Sequence, residues 1–537
     1  MAGKTTVAEM VAATLSDLGV KRMFGVPGGG SSLDLIEQGA RRGIDFVLAR
    51  AAAGAGIMAA ATAELTGVPG VFLTTKGPGV SAAANALAQC SLDRTPVIYF
   101  SDGFAAQTVS WNRHQYFDQR AMTAPLCNGY GRLESEDPTI EFAALVDAAL
   151  TAPRGPVHVD LNGSAAQGAA ELPPAGANRR HANGQLEGDV AAARILLERA
   201  RRPLVAVGLE VTDPDAVAAT RALVDGLDCP VLCTYKGKGV LSDDDPRMLG
   251  ILTGGALEAK TLDACDLLVL VGLDPIELIS KPWAHDMPVL SLGLWPHAPN
   301  QIPLAAGLYG DLSKAVHALR PAASAGDWTA EEMAALRDGM RAGMRIPEAN
   351  GGLSPSAVVE ATLENAPEGT RATVDAGAHM FAAMALWPAR EPGDVLISNG
   401  LASMAFALPA AIAVALEQPD RPVVAFTGDG GLLMCLGELE TAARTGCNLT
   451  VVVFNDGALS LIDLKQQARQ LPPRGCRWDR PDFAASAAGL GLMGRRAASA
   501  KELATALREA TAHPGPALID VIVDPSGYGE QSRRLRG

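Results

Sequence analysis

Two apolar runs, each closed by a glycine-bearing polar turn, lie within residues 423–460, and no other stretch restricts the fold as sharply. The segment reads V-V-A-F-T-G-D-G-G-L-L-M-C-L-G-E-L-E-T-A-A-R-T-G-C-N-L-T-V-V-V-F-N-D-G-A-L-S. Residues 423–426 and 448–454 are short, β-branched and apolar, as buried parallel strands are. Residues 432–444 carry apolar positions at helical spacing, so a single crossover helix is expected between them. Gly428, Gly430 and Gly431 let the first turn bend sharply and approach a ligand. Two loops then lie side by side at the carboxyl ends of the strands, where open α/β sheets bind ligands. One offers Asp429, a hard oxygen donor, and the other offers the amide oxygen of Asn455 and the backbone carbonyl of Gly457. A few protein oxygens, with phosphate and water completing the shell, is how Mg²⁺ is usually held. The helix start beside them suits an anion, so metal plus diphosphate is the expected pair.

The rest of the chain repeats the alternation. Strands are expected at 23–26, 46–48, 71–75, 97–100 and 156–161, then at 204–207, 230–233, 267–271 and 289–292, then at 373–375, 395–398 and 518–523. Helical periods fall between them, the first at 5–18 behind a threonine cap. Short apolar strands alternating with helices give α/β domains with doubly wound parallel sheets. Residues 163–187 and 322–352 are rich in small and polar residues and read as linkers, the second with an amphipathic helix near 331–344. The tail, 526–537, is polar and basic, either mobile or folded over a site. A net charge of −14 excludes nucleic acid or an anionic membrane as the main partner. Eight cysteines without a C-x-x-C pair suit a reducing cytoplasm. No signal peptide or membrane-spanning run is expected.

G-D-G at 428–430, 24 intervening residues and N-D-G at 455–457 resemble the signature of thiamine-diphosphate (TPP) enzymes. F-G-V-P-G (24–28), T-K-G-P-G (75–79), K-G-K-G (236–239) and M-A-F-A-L-P-A-A (404–411) stand in the order of acetolactate synthase and its relatives. The resemblance implies three domains: pyrimidine-binding (1–165), central (188–321) and diphosphate-binding (353–537). It implies TPP and Mg²⁺ as cofactors, with Asp429, Asn455 and Gly457 on the metal and Gly28, Gly428, Gly430 and Gly431 lining the cofactor. It implies a small 2-oxo acid as substrate, decarboxylated and passed to a proton or a second carbonyl. It also implies a homodimer or homotetramer with active sites between subunits.

By the same resemblance Met404 bends the cofactor, the Ala402 carbonyl accepts from its amino group, and His379 lies near its diphosphate. Gln115 points at the reacting centre, and His114 beside it is a candidate proton donor. Two departures stand out. The family ends its second strand in R-H-E-x-G-A, and the glutamate activates the cofactor. Here the run is Arg50-Ala51-Ala52-Ala53-Gly54-Ala55, so Ala52 stands where the glutamate belongs. A positioned acid–base group contributes ~10²–10⁴-fold in rate. Glyoxylate carboligase also lacks it and is active, so two readings follow: an enzyme working without that glutamate, or a TPP-binding protein with little or no catalysis. Lys76 is the second departure, a cation where the family has a small or polar residue. It can clamp a substrate carboxylate or act as a base. V-G-L-D-P (271–275) follows a strand as the family's flavin contact does, but the arginine usual there is absent, which leaves FAD doubtful.

Overall fold

Every apolar run read as a strand lies within one of three mostly parallel sheets, in a computed structural model that describes residues 5–173, 184–279, 281–297, 301–346 and 352–536. The chain divides into two units. One comprises 1–181 with 409–418 and 435–445; the other comprises 182–408, 419–434 and 446–537.

The first unit holds six parallel strands in the order Asp45–Leu48, Arg22–Val26, Gly70–Thr74, Val97–Asp102, Pro156–Leu161, Gly129–Gly131. Its core is built mainly from valine, leucine and alanine around the buried Phe24, Phe72, Tyr99, Phe100 and Phe142, and small residues sit where helices meet. The helices Ala52–Thr66 and Pro78–Leu92 come so close that a β-carbon on Gly56 would stand 2.4 Å from that of Ala86. Close packing of this kind requires small residues, because interiors have no room to spare.

The second unit holds two sheets. One runs Met248–Ile251, Val231–Cys233, Pro203–Val207, Leu267–Val271, Val289–Gly293, Ala306–Tyr309, all parallel, with Glu187–Gly188 antiparallel at the edge. The other runs Val395–Ile397, Arg371–Val374, Val423–Gly428, Leu449–Asn455, Ala517–Ile522, Met493–Ala497, all parallel. All three sheets reverse direction of winding between their second or third strand and the next. Each therefore has a switch point at its carboxyl edge, the place where such sheets leave a crevice.

Two expectations need correction. The single helix expected over 432–444 is two, Asp429–Cys435 and Glu438–Thr445. The chain breaks at Gly437, which passes Arg50 so closely that an added β-carbon would lie 3.2 Å from the Arg50 β-carbon. The linker expected from 163 is ordered at its start: the Asn162 side chain caps the helix Gly163–Ala166, and Ala169–Ala170 pairs with Thr5–Thr6. Residues 174–183 of that linker, and 347–351 of the second, lie outside the described residues. The amphipathic helix is Ala330–Met344, closed by a Thr329/Glu332 capping box. The basic tail is a helix, Tyr528–Arg536, with Tyr528, Gln531 and Leu535 buried. Gln531 Nε2 donates to the Met344 carbonyl at 2.8 Å and anchors it. Among the described residues no helix is long and apolar enough to cross a membrane.

Candidate cofactor site

Parallel pairing of Val423–Gly428 with Leu449–Asn455 sets Gly428 opposite Phe454, so the two following turns adjoin. Asp429 joins them. Its Oδ1 accepts from the Gly430 amide and its Oδ2 from the Gly457 amide, each at 2.7 Å. The carboxylate is only 2% exposed. Burial, then the neighbouring Asp456, push it up to about 7, although both amides and Arg480 favour the charge. Burial also lifts Asp456 to about 6. Asn455 Nδ2 donates to the Pro481 carbonyl and to Asp520 Oδ1 at 3.0 and 2.8 Å, which fixes the amide. Its Oδ1 is left buried without a partner among the described residues. An unmet buried acceptor costs about 1–3 kcal/mol. A divalent cation would satisfy that oxygen and neutralise the carboxylates together. The Gly457 carbonyl already accepts from the Trp478 amide at 2.9 Å, leaving one lone pair for a metal. Among the described residues no group of three or more His, Cys, Asp or Glu side chains is placed to hold a metal. The set of Asp429, Asn455 and a backbone oxygen therefore needs oxygens from a bound molecule, as Mg²⁺ on a diphosphate has.

A pH dependence follows from Asp429. Without metal, the folded protein keeps this proton to about pH 7, whereas an ordinary aspartate releases it near 3.8. Between those values the folded state binds more protons than the unfolded, so this group's contribution to metal-free stability falls as pH rises. A metal bound there would have to displace the proton below pH 7. Mg²⁺ affinity is expected to drop about tenfold per pH unit below neutrality. Titrating Mg²⁺ at pH 6, 7 and 8 in the presence of TPP checks this; equal affinities would contradict it.

The loop carrying Met404 is held from the neighbouring strand. Asp375 follows Arg371–Val374 and is fully buried. Its Oδ1 accepts from the Phe406 and Ala407 amides at 2.5 and 3.1 Å, and its Oδ2 from Thr427 Oγ1 at 2.7 Å. Ala402 and Ala405, on either side of Met404, have φ of 52° and 66°. Left-handed alanines cost about 1–3 kcal/mol each and persist only where surroundings impose them. A β-carbon on Gly430 would stand 3.1 Å from Leu459, 3.3 Å from Met404 Cε and 3.3 Å from Trp478. These three side chains thus close around a bare backbone. His379 stacks on Phe454 and faces Gly428; burial lowers it to about 4, so the ring is neutral. Its Nε2 and the Trp478 Nε1 are buried without partners. The tail reaches this region too, since the buried Tyr528 hydroxyl is raised by burial and by Asp456 and Asp429.

The remaining expected residues belong to the first unit. Gly28 faces Asp102, whose Oδ2 would lie 1.9 Å from an added β-carbon. Asp102 accepts from the Gly30 and Ser32 amides and from the Ser31 and Ser32 hydroxyls. Lys76 and Gln115 are brought together: a β-carbon on Gly77 would meet the Gln115 carbonyl at 2.4 Å, and both Gly77 and Gln115 have φ of 63°. The Lys76 ammonium stands 4.8 Å from the Phe104 ring centre. Gln119 ties this turn inward, accepting from the Gly77 amide at 2.7 Å and donating to Asp160 at 2.9 Å. His114 is exposed on the same loop.

Ala52 opens the helix Ala52–Thr66, and Ala51 before it gives no side-chain cap. The turn is held instead by Glu438, 1% exposed, whose Oε1 accepts from the Arg50 and Ala51 amides at 3.0 Å each. Asp375, Gln119, Glu438 and Trp478 all escaped the sequence reading. Each acts through partners far away in the chain, and none belongs to a local motif.

Three models of the thiamine pyrophosphate enzyme family match. They are the N-terminal TPP-binding domain over residues 5–122, the central domain over 190–319 and the C-terminal TPP-binding domain over 375–521. The chain is 28% identical to the acetolactate synthase isozyme 2 large subunit of Escherichia coli, covering 96% of this chain and 95% of that one. It is 28% identical to an acetolactate synthase of Bacillus subtilis, with 97% and 94% covered. A Pseudomonas aeruginosa protein described as "Probable 2-ketoarginine decarboxylase AruI" is also 28% identical, with 96% and 94% covered.

Proposed function

Because this chain belongs to the thiamine pyrophosphate enzyme family, with all three of that family's domains represented, we propose that it is a Mg²⁺- and TPP-dependent enzyme that decarboxylates a 2-oxo acid, works without the usual activating glutamate, and passes the remainder to a proton or a second carbonyl. The observation that carries the metal–diphosphate part is the unpartnered, buried Asn455 Oδ1 beside the buried carboxylate of Asp429. Asp429, Asn455 and the Gly457 carbonyl would hold Mg²⁺, and His379, which faces Gly428, would offer its ring to a diphosphate oxygen. Bound TPP supplies the electron sink that decarboxylation of a 2-oxo acid needs. The protein's part is to position and enclose. The Met404 loop, fixed by Asp375, presses an apolar side chain toward the site, and the Ala402 carbonyl is the acceptor for the cofactor's amino group. Domains of 1–165, 188–321 and 353–537, and a dimer or tetramer that joins pyrimidine and diphosphate domains across subunits, complete the proposal. Titration calorimetry tests the anchor. TPP binding is expected to require a divalent cation, and equal affinity in excess EDTA would contradict it.

The substrate class rests on Lys76. The residue is half-buried with its ammonium 4.8 Å from the Phe104 ring centre, and the adjoining Gly77 packs against Gln115. Such a cation suits the carboxylate that every 2-oxo acid carries. Lys76→Ala is expected to raise KM for the 2-oxo acid by about tenfold, the order of one charge-assisted hydrogen bond, and to change kcat much less. An unchanged KM would remove Lys76 from the substrate site.

A further inference from the structure

The sheet of Pro203–Val207 and its neighbours has its own switch point, between Pro203–Val207 and Leu267–Val271, since the chain leaves the first toward Val231–Cys233 and the second toward Val289–Gly293. Crevices of this kind take nucleotides, whose diphosphate binds the backbone amides at the strand ends. Both strands end alike here, in Val-Gly-Leu followed by an acid: Glu210 after the first and Asp274 after the second. Three amides of this crevice, those of Leu209, Asp274 and Leu294, are already taken by carboxylates. Glu277 Oε2 accepts from the Leu209 amide at 3.0 Å and the Asp274 amide at 3.2 Å. Its other oxygen accepts from Thr234 Oγ1. Glu210 Oε2 accepts from the Leu294 amide at 2.6 Å, and its Oε1 lies 3.0 Å from His297 Nε2. The space is filled as well: a β-carbon on Gly208 would stand 2.6 Å from Glu277 Oε2 and 2.4 Å from the Leu273 α-carbon.

Glu210, Asp274 and Glu277 are 3%, 4% and 7% exposed. Three acids meet there, Glu210 and Asp274 both facing His297, and they exclude a diphosphate by holding the donors it would need rather than by net charge. Burial pushes Glu277 up to about 8.

We propose that this switch point is closed by the protein's own carboxylates, which occupy the donors a dinucleotide diphosphate would need, so that the central domain is a structural partner and takes neither flavin nor free adenine nucleotide. The proposal stands apart from the one for TPP, which concerns another sheet.

The test uses the full chain saturated with TPP and Mg²⁺, so that the metal–diphosphate site is filled. FAD, then ADP, is titrated in and followed by flavin fluorescence and by calorimetry. No saturable binding up to millimolar concentration is expected, and the purified protein should be colourless in the flavin range. Saturable micromolar binding of either nucleotide overturns the proposal. A second arm asks whether the carboxylates bind the loops together. Glu277→Ala should lower the midpoint of thermal unfolding by roughly 5 °C or more, since it leaves two amides and a hydroxyl unmet. Its affinity for TPP should stay within twofold of the unmodified chain. An unchanged unfolding midpoint would show that Glu277 does not close the crevice.

Discussion

Asp429→Ala is expected to abolish retention of TPP, lowering affinity in the presence of Mg²⁺ by at least ~100-fold. Two effects add. The carboxylate that bridges the two turns is lost, so the Gly430 and Gly457 amides lose the acceptor that holds them 2.7 Å away. The cation loses its one anionic protein ligand of the proposed set, and Asn455 and Gly457 offer neutral oxygens alone. Hydrogen bonds to a charged group are worth about 1.5–3 kcal/mol each, so the site should lose its shape as well as its charge. Asp429→Asn separates these. It keeps an acceptor for one amide and removes the charge, and it should retain a folded site with little Mg²⁺ affinity. The measurement is calorimetric titration of TPP at fixed Mg²⁺, with thermal unfolding recorded beside it. Affinity within tenfold of the unmodified chain for Asp429→Ala would contradict the assignment of the anchor.

Ala52→Glu is expected to raise turnover by about 10²-fold, the lower end of what one positioned acid–base group contributes. The turn that would carry the new side chain is already built. Ala52 is the first residue of its helix, and Glu438 holds the preceding turn through the Arg50 and Ala51 amides. Arg50 is tied to Glu440 beside it. A turn fixed in this way does not depend on the side chain at 52, so the substitution should not disturb folding. CO₂ release from a 2-oxo acid, measured at saturating TPP and Mg²⁺, reads the effect. A gain would show that the pocket is otherwise complete. No gain, with TPP affinity unchanged, would mean that this chain moves the cofactor's proton by a route in which position 52 has no part.

The sheets were legible because their inner strands are buried on both faces and read as unbroken apolar runs; Val97–Asp102 and Pro156–Leu161 are buried at every position. The strands Gly129–Gly131, Met248–Ile251, Ala306–Tyr309 and Met493–Ala497 were not, because each is short and interrupted by glycine, and Met493–Ala497 even carries two arginines. The two turns proposed to hold metal and diphosphate could be placed from sequence because Asp429 directly follows its strand and Asn455 ends its own. Their supports were not. Asp375 reaches residues 406, 407 and 427, and Glu438 reaches residues 50 and 51, contacts that spacing along the chain does not encode. The break at Gly437 belongs to the same class, since it depends on how closely that glycine passes Arg50. The tail gave no pattern because only Tyr528, Gln531 and Leu535 of its helix are buried.

The proposal stands on a cofactor that is both held and activated, and deuterium exchange of the thiazolium proton on bound TPP reports activation without any knowledge of the substrate. The unmodified chain, saturated with Mg²⁺ and TPP, is quenched at intervals in D₂O and the remaining proton is read by NMR. Exchange faster than for TPP free in solution is expected, and faster again in Ala52→Glu. Exchange at the free-solution rate in both proteins, with TPP demonstrably bound, would contradict the account and leave a protein that holds the cofactor without using it.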